Sequence, residues 1–307
     1  MGGNPAAAKS AAKLYRTDFS EGSNLRYPDF LCIGAQKAGT TWIDKNLRRH
    51  PRLWLPPIKE LQYFTEIHVP ASRVWTGDLR QRRGKQVLHN YLDKTARENL
   101  NYHLIGRLAD IVTGPVSDEW YGRIFALAPN ERICGEITPD YCTLPEEGIR
   151  HVLRLSPQVK IILSLRDPIE RSWSHIRMLA KARNSEDVET FERFAQHADI
   201  LKRADYPSII ANWRKHVPEE RFHVLMMDDF TSAPDAALEK MCRFLGVPFL
   251  PKRFKKAENP IHVGSQLAMP NSVETILKNR LRPLYDGLGD LFPEVAAEWM
   301  ARNYGTA

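Results

Sequence analysis

The chain of 307 residues carries 44 Lys and Arg against 37 Asp and Glu, a formal charge of +7, with 43% apolar and 26% charged residues. That composition excludes wholesale disorder, and the length suffices for one large domain whose core needs neither a disulfide nor a metal staple. The modest basic surplus suits an anionic small ligand and falls short of what nucleic-acid binding calls for.

Residues 1–25, beginning MGGNPAAAKS, lack an apolar run long enough for a signal peptide or a membrane span. They read as a disordered leader, which leaves 26–307 as a single domain. The run Phe30-Leu31-Cys32-Ile33, closed by Gly34, is short and unalternating, as expected of a strand buried on both faces. An amphipathic helix, TTWIDKNLRRH, opens at Thr40 and stops before Pro51. Segment 69–94 is polar, Arg-rich and poorly periodic, and is expected to be a long surface loop of the kind that forms a lid or rim.

Further on, strands are expected over Arg132–Ile137, Val159–Leu165 and Phe222–Met227. Helices are expected over Lys94–Ile111, Glu119–Leu127, Glu146–Leu155, Ile169–Arg183 and Ser208–His216. Strands alternating with helices imply an α/β fold: a central parallel sheet of about five strands, covered by helices on both sides in three P-loop-like layers. The four cysteines, Cys32, Cys134, Cys142 and Cys242, form no C-x-x-C pair. That pattern points away from zinc and toward a reducing, cytoplasmic setting.

Between the first strand and the first helix lies Gly34-Ala35-Gln36-Lys37-Ala38-Gly39-Thr40-Thr41. A loop so placed turns backbone N–H groups outward at a helix N-terminus, a ready anion site. The spacing of the two glycines matches the start of the ATP-binding loop, but that motif continues with Lys and then Ser or Thr. Here Thr40 stands in the lysine's place and the lysine has moved inward to Lys37, beside a 5′-phosphate and the bridging oxygen of a departing group. An ordinary strand-to-helix turn is the alternative reading.

A second anion site follows the strand IILSL, where Arg166-Asp167-Pro168 leads into the helix IERSWSHIRMLA. Arg166 at a strand's C-terminal end faces the edge where ligands of open parallel sheets bind. Ser174, two turns along, is placed to share a phosphate with Arg166 if the helix leans over the ligand. Arg166 alone could equally pair with Asp167 or Glu170.

These segments resemble the sulfotransferases that use 3′-phosphoadenosine 5′-phosphosulfate (PAPS), nearest the heparan sulfate N- and O-sulfotransferases and their bacterial relatives. GAQKAGTTW is similar to that family's 5′-phosphosulfate loop and SLRDPIERSWSH to its 3′-phosphate segment. LRRHP, KELQYF at 59–64, GEITPDY at 135–141, and Tyr206 seven residues before Trp213 add to the likeness. The resemblance implies that Lys37 contacts the 5′-phosphate and bridging oxygen, while Ala38, Gly39, Thr40, Thr41 and Trp42 hold the 5′ side. It implies that Arg166 and Ser174 hold the 3′-phosphate, with Tyr206 near the nucleotide.

It also implies that Glu60, in KELQYF, takes the proton of an acceptor hydroxyl; a structural partnership with Lys59 is the alternative. The products would be the sulfated acceptor and adenosine 3′,5′-bisphosphate, with no metal required. The acceptor could be a carbohydrate, a lipid or a small metabolite, and the oligomeric state is unreadable.

Departures from the family pattern bear on the acceptor rather than the donor. Ile137 stands where a lysine is common, and Gln62 where some members have histidine. Lys255, Lys256 and His262 are candidates for a basic closing loop. The enzyme rival is a P-loop nucleotide or small-molecule kinase.

Overall fold

The apolar run at Phe30–Ile33 is stable only if both of its faces are covered, and the tertiary structure meets that demand. A computed structural model describes residues 25–255, 257 and 267–305 of the chain. The expected leader lies outside the described residues except for Leu25, and so do Lys256 and His262. Among the described residues five strands form one sheet: β1 (Phe30–Gly34), β2 (Leu53–Trp54), β3 (Ile133–Ile137), β4 (Lys160–Leu165) and β5 (Phe222–Met226). Their order is β2-β3-β1-β4-β5, and every neighbouring pair is parallel. Phe30 lies opposite Gly135 on one side and Lys160 on the other. A Cβ at Gly135 would meet the Phe30 ring at 2.3 Å, so only glycine lets these strands pair with that phenyl between them.

The helices in chain order are α1 (Thr40–Leu47), α2 (Tyr63–His68), α3 (Arg73–Lys94), α4 (Tyr102–Thr113), α5 (Asp118–Phe125), α6 (Glu146–Leu155) and α7 (Pro168–Ala182). They continue as α8 (Val188–Ala195), α9 (Ala198–Lys202), α10 (Tyr206–Arg214), α11 (Met227–Ser232), α12 (Pro234–Leu245), α13 (Asn271–Leu291) and α14 (Pro293–Tyr304). Strand alternation splits the interior into two cores. Phe30, Cys32 and Ile162 face one core with Ile43 and Leu47 of α1, Phe230 of α11 and Leu238 and Met241 of α12. Leu31, Ile33, Ile161 and Leu163 face the other, where Trp120, Trp213 and Trp299 are fully buried. This is the expected three-layer, P-loop-like α/β architecture. Among the described residues no helix is long and apolar enough to cross a membrane.

Segment 69–94 departs from expectation: after a 3-10 turn at Pro70–Ser72 it is the 22-residue helix α3, not a surface loop. Its buried stripe is Thr76, Arg80 and Gly84, four residues apart and none of them a large hydrophobe. Arg80 makes an ion pair with Glu66 of α2 and lies 5.1 Å over the Trp120 ring. Gly84 admits Val112 of α4 and Ile58, whose atoms a Cβ would meet at 2.1 and 3.1 Å. The helix is therefore held by tertiary contacts that a hydrophobic period cannot register. The helix expected from Lys94 starts instead at Tyr102, where the Asn101 side chain accepts from Leu104 N at 3.0 Å and caps it.

Candidate functional site

Adjacent strands bring the two expected anion sites to one edge of the sheet. Ala35 N donates to the Ser164 carbonyl at 2.7 Å, and Ser164 Oγ donates to the Ala38 carbonyl at 2.5 Å. The loop after β1 is thus bonded directly to the end of β4. Gly39 sits at φ 79°, a left-handed conformation that favours glycine, and a Cβ there would enter the Phe230 ring at 2.3 Å. Phe230 in turn stacks on Trp42 with ring centroids 4.5 Å apart. The cap residue Gly39 offers no side chain to the first turn of α1, where Trp42 N donates to the Gly39 carbonyl at 2.8 Å.

Trp42 is buried and donates from Nε1 to the Ala257 carbonyl at 2.8 Å, tying α1 to the chain beyond α12. Thr40 and Ala38 are also buried; Thr41 and Lys37 are half-buried.

Burial lowers the Lys37 pKa from the usual lysine range, and the charges of Arg177, Arg166, Lys59 and Arg171 lower it further, in that order. Arg171 is fully buried, and burial brings its guanidinium down to about 10. Its partners are the Ile200 carbonyl at 3.1 Å, Ser172 Oγ at 3.2 Å and His175 Nδ1 at 3.4 Å. Among the described residues it makes no ion pair with a carboxylate. The neighbouring positive charges repel the Lys37 ammonium, while Arg166 and Lys59 keep carboxylate partners in Glu170 and Glu60.

Of the two pairings open to Arg166, the structure selects Glu170, at 3.0 Å from Nη2. Asp167 instead caps α7, accepting from the N–H groups of Ile169 and Glu170 at 2.9 and 3.0 Å. Ser174 is half-buried on α7, on the same helix as Arg171 and Arg177. Tyr206 is fully buried at the start of α10, and its hydroxyl donates to the Arg166 carbonyl at 2.9 Å. It thus steadies the backbone of Arg166.

The expected base lies within the same constellation. Lys59 Nζ donates to Thr41 Oγ1 at 3.1 Å and sits 3.3 Å from Glu60 Oε1; Arg83 Nη1, from α3, is 2.9 Å from Glu60 Oε2. The carboxylate is linked to the anion loop through one lysine, so the Lys59 partnership and a place in the site coexist. Glu60 and Gln62 both have φ 61°, while Ile58 and Leu61 are buried on either side and anchor the turn.

KELQYF and GEITPDY are held to each other by polar contacts. Glu136, fully buried on β3, accepts from Leu61 N at 3.1 Å, Tyr121 OH at 2.5 Å, Tyr141 OH at 3.1 Å and the Thr138 hydroxyl. Burial raises its pKa, against the pull of those donors. Gln62 Nε2 donates to Asp140 Oδ2 at 2.6 Å, and Arg203 is 2.5 Å from Asp140 Oδ1. Ile137, where a lysine is common in the resembled family, is buried in the core beneath α1.

Sequence reasoning did not single out Lys59's link to Thr41, or Arg83, Glu136, Arg171 and Arg203. Arg171 lies inside the RDPIERSWSH segment and Glu136 inside GEITPDY, so a signal existed for those two. Among the described residues no cluster of three or more His, Cys, Asp or Glu is placed to hold a metal ion. A cavity of about 560 Å³ near Tyr27, Asp29 and Lys160 lies at the strands' opposite ends, away from this site.

The fold is a P-loop-like α/β sheet with its two candidate anion loops joined at one edge. Residues 28–251 match the sulfotransferase family, and the chain belongs to it. Carbohydrate sulfotransferase 15 of Mus musculus is 24% identical over 256 residues, covering 72% of this chain and 44% of that protein. The chain spans less than half the length of the curated relatives it matches. A sulfotransferase from Alicyclobacillus acidocaldarius superposes with a TM-score of 0.60 at 19% identity, covering 88% of this chain and 97% of that one. A mouse sulfotransferase solved in complex with PAP gives 0.51 at 14% identity, over 91% and 89%.

Proposed function

We propose that this chain transfers the sulfuryl group of PAPS to an acceptor hydroxyl and releases adenosine 3′,5′-bisphosphate. The observation that carries the reading is the hydrogen-bonded meeting of the Lys37 loop with the end of β4 that leads to Arg166, with Lys59 bonded to Thr41 at the head of α1. A nucleotide phosphorylated at both ends of one ribose calls for two cradles, and the Gly34–Gly39 loop and Arg166 stand on hydrogen-bonded neighbouring strands. The PAP held by the mouse protein of the same fold supports this donor.

In the displacement, the acceptor oxygen bonds to sulfur as the bond from sulfur to the bridging oxygen of the 5′-phosphate breaks. The acceptor's proton passes to Glu60, and the electron pair of the broken bond stays on the bridging oxygen. Lys37 and the N–H groups at the head of α1 offset the charge growing there. Ala38, Gly39, Thr40 and Thr41 shape this 5′ cradle; Arg166 and Ser174 serve the 3′-phosphate, with Tyr206 and Trp42 supporting them from the interior. The carbohydrate sulfotransferase among the relatives supports a sugar hydroxyl as one acceptor class, beside lipids and small metabolites. The four cysteines are all buried and unpaired, in keeping with a reducing cytoplasm.

Calorimetric titration tests the donor. Adenosine 3′,5′-bisphosphate is expected to bind more tightly than ATP with magnesium. A preference for ATP would move the chain to the kinase reading.

A further inference from the structure

Arg83 reaches the Glu60 carboxylate from α3, in the segment expected from the sequence to be a lid or rim loop. Its Nη1 lies 2.9 Å from Glu60 Oε2 and also donates to the Lys59 carbonyl at 2.8 Å. One nitrogen therefore grips both the carboxylate and the backbone that presents it. The other oxygen, Oε1, faces Lys59 at 3.3 Å. The two cations differ in one respect: Lys59 also donates to Thr41 in the anion loop, whereas both of Arg83's contacts here are to Lys59 and Glu60 themselves.

We infer that Arg83 is the positioning residue for Glu60, fixing the direction of its carboxylate for the proton transfer proposed above, on which this assignment rests. Three observations point the same way. Gly84, the next residue, has no side chain, so α3 packs against Ile58 and Val112 and Arg83 comes within reach of the turn. Arg80 and Thr76, one and two turns earlier, both bond to Glu66 of α2, which fixes the rotation of α3 about its axis. Glu60 itself adopts a left-handed backbone conformation between buried Ile58 and Leu61, so its side chain leaves the core and meets Arg83 at the rim.

Each carboxylate oxygen of Glu60 is flanked by one cation, Oε1 by Lys59 and Oε2 by Arg83, which limits the directions from which a hydroxyl proton can approach. The Arg83 side chain is 35% exposed and that of Glu60 16%, so the pair contributes little to stability. Its loss should be read in chemistry rather than in folding. A carboxylate displaced by about 1 Å loses on the order of 100-fold in rate when it serves as the proton acceptor.

The test uses the full chain in single turnover, with sulfur-labelled PAPS as donor and water as the hydroxyl probe, under excess enzyme. Wild type, Arg83→Met, Arg83→Lys, Glu60→Gln and the Glu60→Gln/Arg83→Met double variant are compared. Arg83→Met is expected to release labelled sulfate at least about 10-fold more slowly, with bisphosphate affinity and thermal midpoint unchanged. Arg83→Lys, and Arg83→Met supplied with guanidinium ion, should recover part of the rate. In the Glu60→Gln background, Arg83→Met should add no further loss.

A wild-type rate in Arg83→Met, or an equal loss with and without Glu60, overturns the role of Arg83 and leaves the base assignment standing. A wild-type rate in Glu60→Gln sinks the base assignment, and the role of Arg83 with it.

Discussion

Ser164 Oγ donates to the Ala38 carbonyl at 2.5 Å, across the gap between the end of β4 and the loop that follows β1. Both residues are fully buried. Through this bond the strand that leads to Arg166 shapes the loop that carries Lys37. The two proposed anion cradles are therefore coupled by a hydrogen bond as well as by proximity.

Ser164→Ala removes the donor and leaves the Ala38 carbonyl buried without it. The expected cost is about 1–2 kcal/mol of stability, with weaker binding of adenosine 3′,5′-bisphosphate as the loop relaxes. Urea unfolding and calorimetry on the same preparation check both; unchanged affinity would show that the loop holds its shape without the bond.

Lys37→Ala should lower sulfuryl-transfer turnover by at least about 100-fold, the range seen when a charge-stabilising group at a reacting oxygen is deleted. Because burial and neighbouring cations already disfavour the ammonium form, thermal stability should hold or rise slightly. Turnover near the wild-type value would remove Lys37 from the reaction.

Arg166→Ala should reduce bisphosphate affinity by about 10- to 100-fold, the worth of a charge-assisted contact. Affinity for adenosine 5′-phosphate, which lacks the 3′ group, should barely change. Equal losses for the two nucleotides would place Arg166 somewhere other than the 3′-phosphate.

Gly39→Ala forces a Cβ into a left-handed conformation and into the Phe230 ring, which cannot retreat because Trp42 stacks behind it. Destabilisation of about 2 kcal/mol or more is expected, together with impaired anion binding. Differential scanning calorimetry would reveal a tolerant loop if the midpoint stayed put.

Acid should destabilise the fold through His175. Burial, reinforced by Arg171, Arg203, Lys37 and His197, holds this imidazole down to about 2, whereas an unfolded histidine titrates near about 6.5. Between those values only the unfolded chain takes up this proton. The stabilisation is thus complete above pH about 6.5 and declines as pH falls, by about 2 kcal/mol on reaching pH 5. His50, His68 and His223 are lowered by burial too and act with the same sign. In His175→Asn, urea unfolding between pH 7 and 5 should show a slope smaller by about one proton; an identical slope would contradict the assignment.

The sheet was legible because β1, β3, β4 and β5 are short, mostly apolar segments, FLCIG, ICGEI, KIILSL and FHVLM, of the kind a buried parallel sheet needs. β2 was not, since two residues have no period. The anion loop was legible for a related reason. Glycine spacing and strand-to-helix position are local properties, and both survive in the structure around Gly39 and Lys37.

Helix α3 was illegible because its buried stripe is Thr76, Arg80 and Gly84, which vanish from any hydrophobic count. Hydropathy measures transfer out of water, and these three residues are buried for a salt bridge, a cation over a ring and a close approach.

By itself the sequence determined the layer architecture, the glycine-bounded loop after β1 and the identity of the cationic and acidic side chains, because these depend on neighbours within a few residues. Only the tertiary structure decided which of those charges meet. Arg166 chose Glu170, Asp167 became a helix cap, and Arg83 arrived at Glu60 from 23 positions along the chain. Ion pairs act over a few ångströms in space and are indifferent to separation along the chain. The acid-base geometry of the site was therefore settled by packing, chiefly where a glycine let one helix come close.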